Sequence, residues 1–354
     1  MSRSILFSRT LQSPVFAAAV AAALGLAVLA IGLAAAGYDP ASALGALWRG
    51  AFGSWYAFTS ATLVRATPLI VLGIGFALAM QAGALNIGAE GQFYAGAIAA
   101  TWVALHVGGV PGVVAIPAVL AAGAVAGALW ILGPVVLRLR FGVLEVISTL
   151  LLNFVAEALV SLMVQGPLQE AKHIYPQSDP IPTSARLPLM PGTRLHVGLL
   201  LAVGLGAAAW VVLRRTRWGF ALRAAGAGPR AAQVIGRIRV PRTLATGLLI
   251  SGSLAGLGGA IEITGVTYAL FQNLSPGYGF QAIAVALLAR LNPLGVVAAG
   301  LLFGALEAGA GGMQREAGVP AVAVDVVQAV VIVVTLLSVA ASSARAAAAA
   351  PEAT

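Results

Sequence analysis

Apolar residues run through the chain in stretches of about twenty, and polar residues gather between these stretches instead of alternating with them. A helix needs about 20 such residues to cross a roughly 30 Å hydrocarbon layer. The pattern predicts ten membrane helices, at residues 14–36, 61–82, 89–107, 111–136, 143–165, 195–213, 243–265, 279–299, 300–318 and 320–341. The expected fold is an all-α integral membrane protein, with residues 1–354 forming one transmembrane domain. The first stretch follows Arg3 and Arg9 and exceeds the roughly 7–15 apolar residues of a secretory signal, so it reads as a retained anchor. Residues 37–60, with Trp48, Trp55 and Tyr56, suit an amphipathic segment in the outer interface, and residues 343–354 suit a disordered tail. Gly123 and Gly127, Gly252 and Gly256, and Gly300 and Gly304 are spaced by four, which predicts closely packed helices.

Composition excludes the soluble alternatives. Only 9% of residues are charged, against about 25% in a soluble domain, so no water-facing surface can be covered. The net charge of +9 would suit a nucleic-acid binder, but its distribution points elsewhere. Eight arginines fall between Arg214 and Arg242 with no acid among them. Counted from a cytoplasmic N-terminus, the ten spans put this segment, Arg138, Arg140 and Arg345 on one side, which basic loops mark as cytoplasmic. Both termini are then cytoplasmic, and residues 166–194, with Lys172, His173 and Asp179, face outward. The chain has no cysteine, so disulfides and thiolate sites are excluded.

A catalytic centre is not legible. The only lysine, Lys172, lies outside any phosphate-binding loop, and His106, His173 and His196 lack partners at metal-ligand spacing. No catalytic and no metal-ligating residues are expected. The densest polar cluster within an apolar region is Gln81, Asn86, Glu90 and Gln92, where Gly88 and Gly91 permit a broken helix. Such breaks present polar groups to transported solutes, although Asn86 and Glu90 equally suit capping of the next helix. Glu145, Glu157, Glu262, Glu307 and Asp325 also lie in apolar runs, where a carboxylate must face a cavity, a loop or a cation. Glu145 follows Arg140 closely enough to pair with it, and Glu157 and Glu262 lie deeper. Tyr268, Phe271, Gln272, Asn273, Tyr278, Phe280 and Gln281 interleave rings and amides, as an interfacial aromatic belt does and as a site for a flat polar solute does. In the basic segment, residues 219–226 and 229–236 read as short helices with Ala231, Ala232 and Ile235 on a small-residue face, able to enter a groove on a partner or to rest on anionic lipid.

Four ordered blocks carry a family resemblance: Asn86-Ile-Gly-Ala-Glu-Gly-Gln92, Glu145-Val-Ile-Ser-Thr-Leu-Leu-Leu-Asn153, Ser251 to Ala260, and Gly279 to Leu288 followed by Asn292-Pro-Leu-Gly295. The chain resembles the membrane permeases of ATP-binding-cassette (ABC) importers in the ribose, branched-chain amino acid and nucleoside group, above all the longer nucleoside permease of the YufP/NupP type. The resemblance implies an inverted repeat relating spans 2–5 to spans 7–10. It also implies a pathway for nucleosides or related small polar solutes, with Asn86, Gln92, Asn153 and Gln281 as hydrogen-bonding groups and Glu90 orienting the break. Residues 214–242 become a segment coupled to the ATPase, through Arg223, Gly226, Pro229, Ala231, Ala232 and Gly236. Ala227-Gly228 before the proline and Arg237 after Gly236 depart from the family pattern. The implied partners are a second permease in a heterodimer, a cytoplasmic ATPase that uses ATP and magnesium, and an extracytoplasmic substrate-binding lipoprotein, in a bacterial plasma membrane. This chain would bind no cofactor and no nucleic acid, only lipid and its partners. An ion-coupled secondary transporter using intramembrane carboxylates, and a simple-sugar ABC permease, are the alternatives.

Overall fold

The computed structural model describes residues 14–320 together with 322, 323, 325, 326, 329 and 333. The longer helices with defined bounds follow in order: α1 (Pro14–Ala35), α2 (Pro40–Phe52), α3 (Trp55–Gln81), α4 (Ala89–His106), α5 (Gly112–Phe141), α6 (Glu145–Val164), α7 (Gly198–Arg215), α8 (Arg217–Ala227), α9 (Pro229–Val234), α10 (Val240–Thr267), α11 (Tyr278–Leu288) and α12 (Pro293–Ala317), with a single 3-10 turn at Thr183–Ala185. Six of them, α3, α5, α6, α7, α10 and α12, are long and apolar enough to cross a membrane. Among the described residues the only extended pairings are isolated bridges, Gln177 with Phe271 and Leu189 with His196.

Helix α3 is the hub. In its most apolar stretch 83% of residues are buried, against 22% in α5 and α6, so α3 is enclosed by protein while α5 and α6 turn an apolar face outward. Helices α10, α11 and α12 pack around α3, and α4 and α5 pack on α10. The glycine pairs make those contacts close. A Cβ on Gly127 would sit 2.8 Å from Gly256 Cα, and one on Gly304 would sit 2.7 Å from Ala66 N, so α5 meets α10 and α12 meets α3 backbone to backbone.

Local signals set several boundaries. Asp39 caps α2 by accepting from Ala41 and Ser42 N–H, and Thr216 caps α8 by accepting from Gly219 N–H. Helix α5 ends at Gly142, whose N–H donates to the Leu137 carbonyl and whose φ of +69° brings the following Val143 N–H to the same carbonyl at 3.2 Å, with Arg138 and Arg140 in the last turn beside the negative helix end. Glu145 pairs with Arg138 at 3.2 Å, not with Arg140. The reason is the turn at residues 142–144, which folds the start of α6 back toward the earlier arginine.

Two expected boundaries shift. The predicted spans 279–299 and 300–318 become the 11-residue α11 and the 25-residue α12. The chain turns at residues 289–292 instead of 299–300, because Asn292 accepts from Leu294 N–H and Pro293 starts the new helix. Most of the predicted span 320–341 and the tail at 343–354 lie outside the described residues, as do Arg345 and Gln328. Helix α2 packs along α12, where Arg49 and Glu316 form a half-exposed ion pair at 2.7 Å, and it leaves Trp48 exposed.

The loop at residues 166–197 is tied to the end of α10 by Ile181 N–H to Tyr268 O, Leu187 N–H to Thr264 O, and Arg186 stacked 4.5 Å from the Tyr268 ring centre. Within it, Glu170 accepts from Gln177 Nε2 at 2.7 Å and from Tyr175 N–H at 3.0 Å. These bonds favour the ionised form and hold its carboxyl below its ordinary value, with Gln177 the larger cause. A depressed folded value means that the brace is complete above the ordinary glutamate range and weakens as pH falls through the lower folded value. Protection of the amides at residues 171–178, taken as exchange relative to the intrinsic rate at each pH, should therefore be level around neutral pH and fall only in acid. Glu170→Gln should show the lower protection already at pH 7, and equal protection of the two proteins at that pH would count against the brace.

Candidate functional site: a broken-helix junction beside a polar cavity

Residues 82–88 link α3 to α4 without forming a helix. At the far end of α11, the Gln81 side chain donates to Leu291 O at 3.1 Å, and the start of α11 meets the start of α4. Eleven helical residues rise about 16 Å, roughly half of a 30 Å layer, so the junction of α4 and α11 lies near mid-depth. The two helices leave it in opposite directions. Helix α4 runs alongside α10, with Gly96 against Gly256, and α11 runs alongside α3, with Gly73 against Ala282 and Val285. Helices α3 and α10 are themselves antiparallel, since Leu72 meets Gly258 and Ala79 lies near Gly247.

Asn86 organises the junction and is fully buried. Its amide donates to Gln92 Oε1 at 2.8 Å and Ser251 Oγ at 2.9 Å, and its Oδ1 accepts from Gly88 N–H and Gln92 Nε2, each at 3.0 Å. All four hydrogen-bonding positions of this side chain are thus filled by protein. Asn153 of α6 spans the same break, accepting from Gly91 N–H at 2.8 Å and donating to Ile87 O at 3.0 Å. Glu90, in the first turn of α4, accepts from Gly279 N–H at 2.6 Å. Both helix starts carry the positive end of a helix dipole, and this carboxylate lies between them. Ser275 Oγ completes the start of α11 by accepting from Gly277 and Tyr278 N–H.

Asn86, Glu90, Gln92 and Asn153 therefore converge, in a buried brace. Gln281 stands apart from them, donating to Glu307 Oε1 at 2.7 Å between α11 and α12. Glu262 is buried in α10 within the field of Arg65 of α3, and Asp325 is exposed.

About one turn beyond Glu90 and Asn153 a cavity of about 350 Å³ opens between α4, α6 and the segment after α10. Tyr94, Phe154, Glu157, Ser161, Gln272 and Asn273 line it. Its volume lies near the lower end of the roughly 300–1,000 Å³ usual for small-molecule sites. Gln272 and Asn273 come from the interleaved ring-and-amide segment, and Glu157 is one of the deep acids. Tyr94, Phe154 and Ser161 escape the sequence reading. The signal available for two of them was the spacing of Phe154, Glu157 and Ser161, which puts all three on one face of α6.

In the basic segment, α8 docks against the turn after α3, where Gly226 allows backbone contact with Gln81 and Gly83. Leu222, Ala225 and Ala232 face inward, whereas Arg223, Pro229, Ala231 and Gly236 are exposed. The expected face of Ala231, Ala232 and Ile235 is therefore divided: Ala232 faces inward, Ala231 and Ile235 are exposed, and Val234 is exposed beside them.

Comparison with known proteins fits this architecture. Residues 58–336 match the family described as the branched-chain amino acid transport system / permease component. The chain belongs to that family. This permease is 40% identical over 320 residues to the glucose ABC transporter permease protein of Haloferax volcanii, covering 86% of this chain and 83% of that one. It is 37% identical over 319 residues to the guanosine ABC transporter permease protein NupP of Bacillus subtilis, covering 88% and 90%. It is also 33% identical over 322 residues to the nucleoside ABC transporter permease protein NupB of Lactococcus lactis, covering 88% of each. No solved structure matches the permease. As a member of this family it is a multi-pass membrane permease subunit of an ABC transporter and not itself the ATPase.

Proposed function

We propose that this permease forms half of the translocation pathway of an ATP-driven importer of nucleosides, moved by alternating access. The observation that carries the reading is the polar cavity bounded by α6 and Gln272-Asn273, set beside a mid-depth junction of two half-helices. Transporters commonly bind solutes where broken helices meet. The opposed directions of α4 and α11 support the inverted repeat, in which span 3 answers span 8, and with it ten spans and cytoplasmic termini. Asn86, Gln92, Asn153 and Glu90 then hold the pathway wall in shape, with Gln281 further along it.

The exposed Arg223, Pro229, Ala231, Val234 and Ile235 form the surface for the cytoplasmic ATPase, which alone uses ATP and magnesium. Contact of α8 with the turn below the junction gives that surface a short mechanical route to the break. A second permease completes the pathway, and a substrate-binding lipoprotein supplies solute from outside a bacterial plasma membrane. Nucleoside-transporting relatives support the substrate, and the glucose permease among the relatives makes a sugar the competing solute.

Uptake by cells producing the whole importer tests this. Labelled guanosine should accumulate, excess glucose should not compete, and substitution of the phosphate-binding lysine of the ATPase should abolish accumulation. Glucose accumulation without guanosine accumulation would move the substrate to the sugars. Uptake that survives the ATPase substitution and collapses with an uncoupler would overturn the importer itself.

A further inference from the structure

The face of α6 that carries Glu157 cannot lie against lipid. Glu157 is exposed twelve residues into the helix, about 18 Å from its start, among exposed Leu151, Phe154, Val155 and Leu162. Intramembrane carboxylates face water, a cavity or a partner, and the cavity beside Glu157 supplies that environment. Its wall carries no arginine, lysine or histidine. Glu157 makes no ion pair among the described residues.

The uncharged polar wall groups, the Tyr94 and Ser161 hydroxyls and the Gln272 and Asn273 amides, offer both donors and acceptors. Gln272 Nε2 donates to Ser161 Oγ at 2.7 Å, which uses one of its two N–H groups and leaves the other, with the carbonyl, for a solute. The ionised Glu157 carboxylate differs from them in offering acceptors alone. Phe154, 63% exposed, and Tyr94 add flat apolar surface.

Resting on the proposed function, we infer that Glu157 is a specificity-determining charge filter: the cavity admits neutral solutes that present adjacent N–H or O–H donors and repels their anionic, phosphorylated forms. A guanine-type base fits this pattern, because two neighbouring N–H donors can bond both oxygens of one carboxylate. A phosphate brings a like charge to the same carboxylate at short range, where the field is poorly screened.

The absence of cysteine makes the test direct. Ala158 lines the cavity, is exposed and takes no part in the brace, so Ala158→Cys gives this chain a single thiol in the assembled importer. Thiol-reactive methanethiosulfonates of similar size, one cationic and one anionic, are applied from outside, and labelling of this chain is read by mass. Relative to their rates with a small free thiol in solution, the cationic reagent should be favoured by about tenfold, and Glu157→Gln should bring that normalised ratio near unity. If Glu157→Gln fails to assemble, the ratio in the Glu157 background is followed from about 50 mM to about 1 M salt, over which a field-driven ratio must fall. No labelling by either reagent, a ratio unchanged by Glu157→Gln, or a ratio flat with salt would overturn the filter. Guanosine uptake measured alongside separates the two readings: ATP-driven uptake with a charge-blind thiol removes the filter and leaves the importer standing.

Discussion

Gly256→Leu should leave no folded permease. Gly256 lies where α4, α5 and α10 cross, and a Cβ there would meet Gly127 N and Cα at 2.8 Å and the Gly123 carbonyl closer still. These are backbone atoms, which no rotamer change can move aside. Overpacking a core ordinarily costs about 1–3 kcal/mol because side chains give way. Here whole helices must separate, so the cost exceeds that range and falls on the seam that positions the brace. Fluorescence-detected size exclusion of the detergent-extracted chain should lose its symmetric peak. Gly204→Leu in α7, where nothing lies within 4 Å of an added Cβ, should keep it. A normal peak from Gly256→Leu would mean that α5 and α10 are not in backbone contact.

Asn86→Leu should cost both stability and transport. Removing this amide strands Gly88 N–H, the Gln92 amide and the Ser251 hydroxyl, all buried. Each buried group left without a partner costs about 1–3 kcal/mol, so the total should be at least 3 kcal/mol. The thermal midpoint of the purified importer should fall by several degrees, and uptake should fall more than tenfold. Replacing both partners separates bracing from solute contact. Asn86→Leu with Gln92→Leu removes two of the mutually dependent polar groups and should recover part of the stability, because apolar pairs of similar shape can stand in for a hydrogen-bonded pair. Transport should stay low, since Gly88 N–H at the break still lacks its acceptor. A stable Asn86→Leu single variant that transports normally would show that the four bonds do not hold the break.

What the sequence reveals here follows from which forces leave a local mark. Burial in lipid marks every residue of a span, so α3, α4, α5, α6, α7 and α10 lie close to their expected positions. The close helix crossings were legible too, because only glycine permits them and the four-residue spacing is visible. The turn at residues 289–292 was obscured because apolar residues continue on both sides, and Asn292-Pro293, the pair that starts α12, is a weaker signal than the hydropathy around it. The polar residues of the break stand out as a cluster. Their mutual saturation does not, because Ser251 and Asn153 reach Asn86 and Gly91 from helices 165 and 62 residues away. The cavity was least legible: Tyr94 and Gln272 share it only because α4 and the segment after α10 fold together.

Helix α6 also has to enter the bilayer before any cavity exists to receive Glu157. On the scale set by the insertion machinery, a charged residue such as Asp at mid-helix opposes entry by about 2.5–3.5 kcal/mol, and each Leu, Ile, Phe or Val favours it by about 0.3–0.6 kcal/mol. The twenty residues of α6 include eleven of these four types, which together supply about 3–7 kcal/mol. The outward leucines that are mostly uncovered in the folded chain, Leu151 and Leu162 among them, thus serve biogenesis. They carry a carboxylate across a barrier that the finished transporter no longer presents.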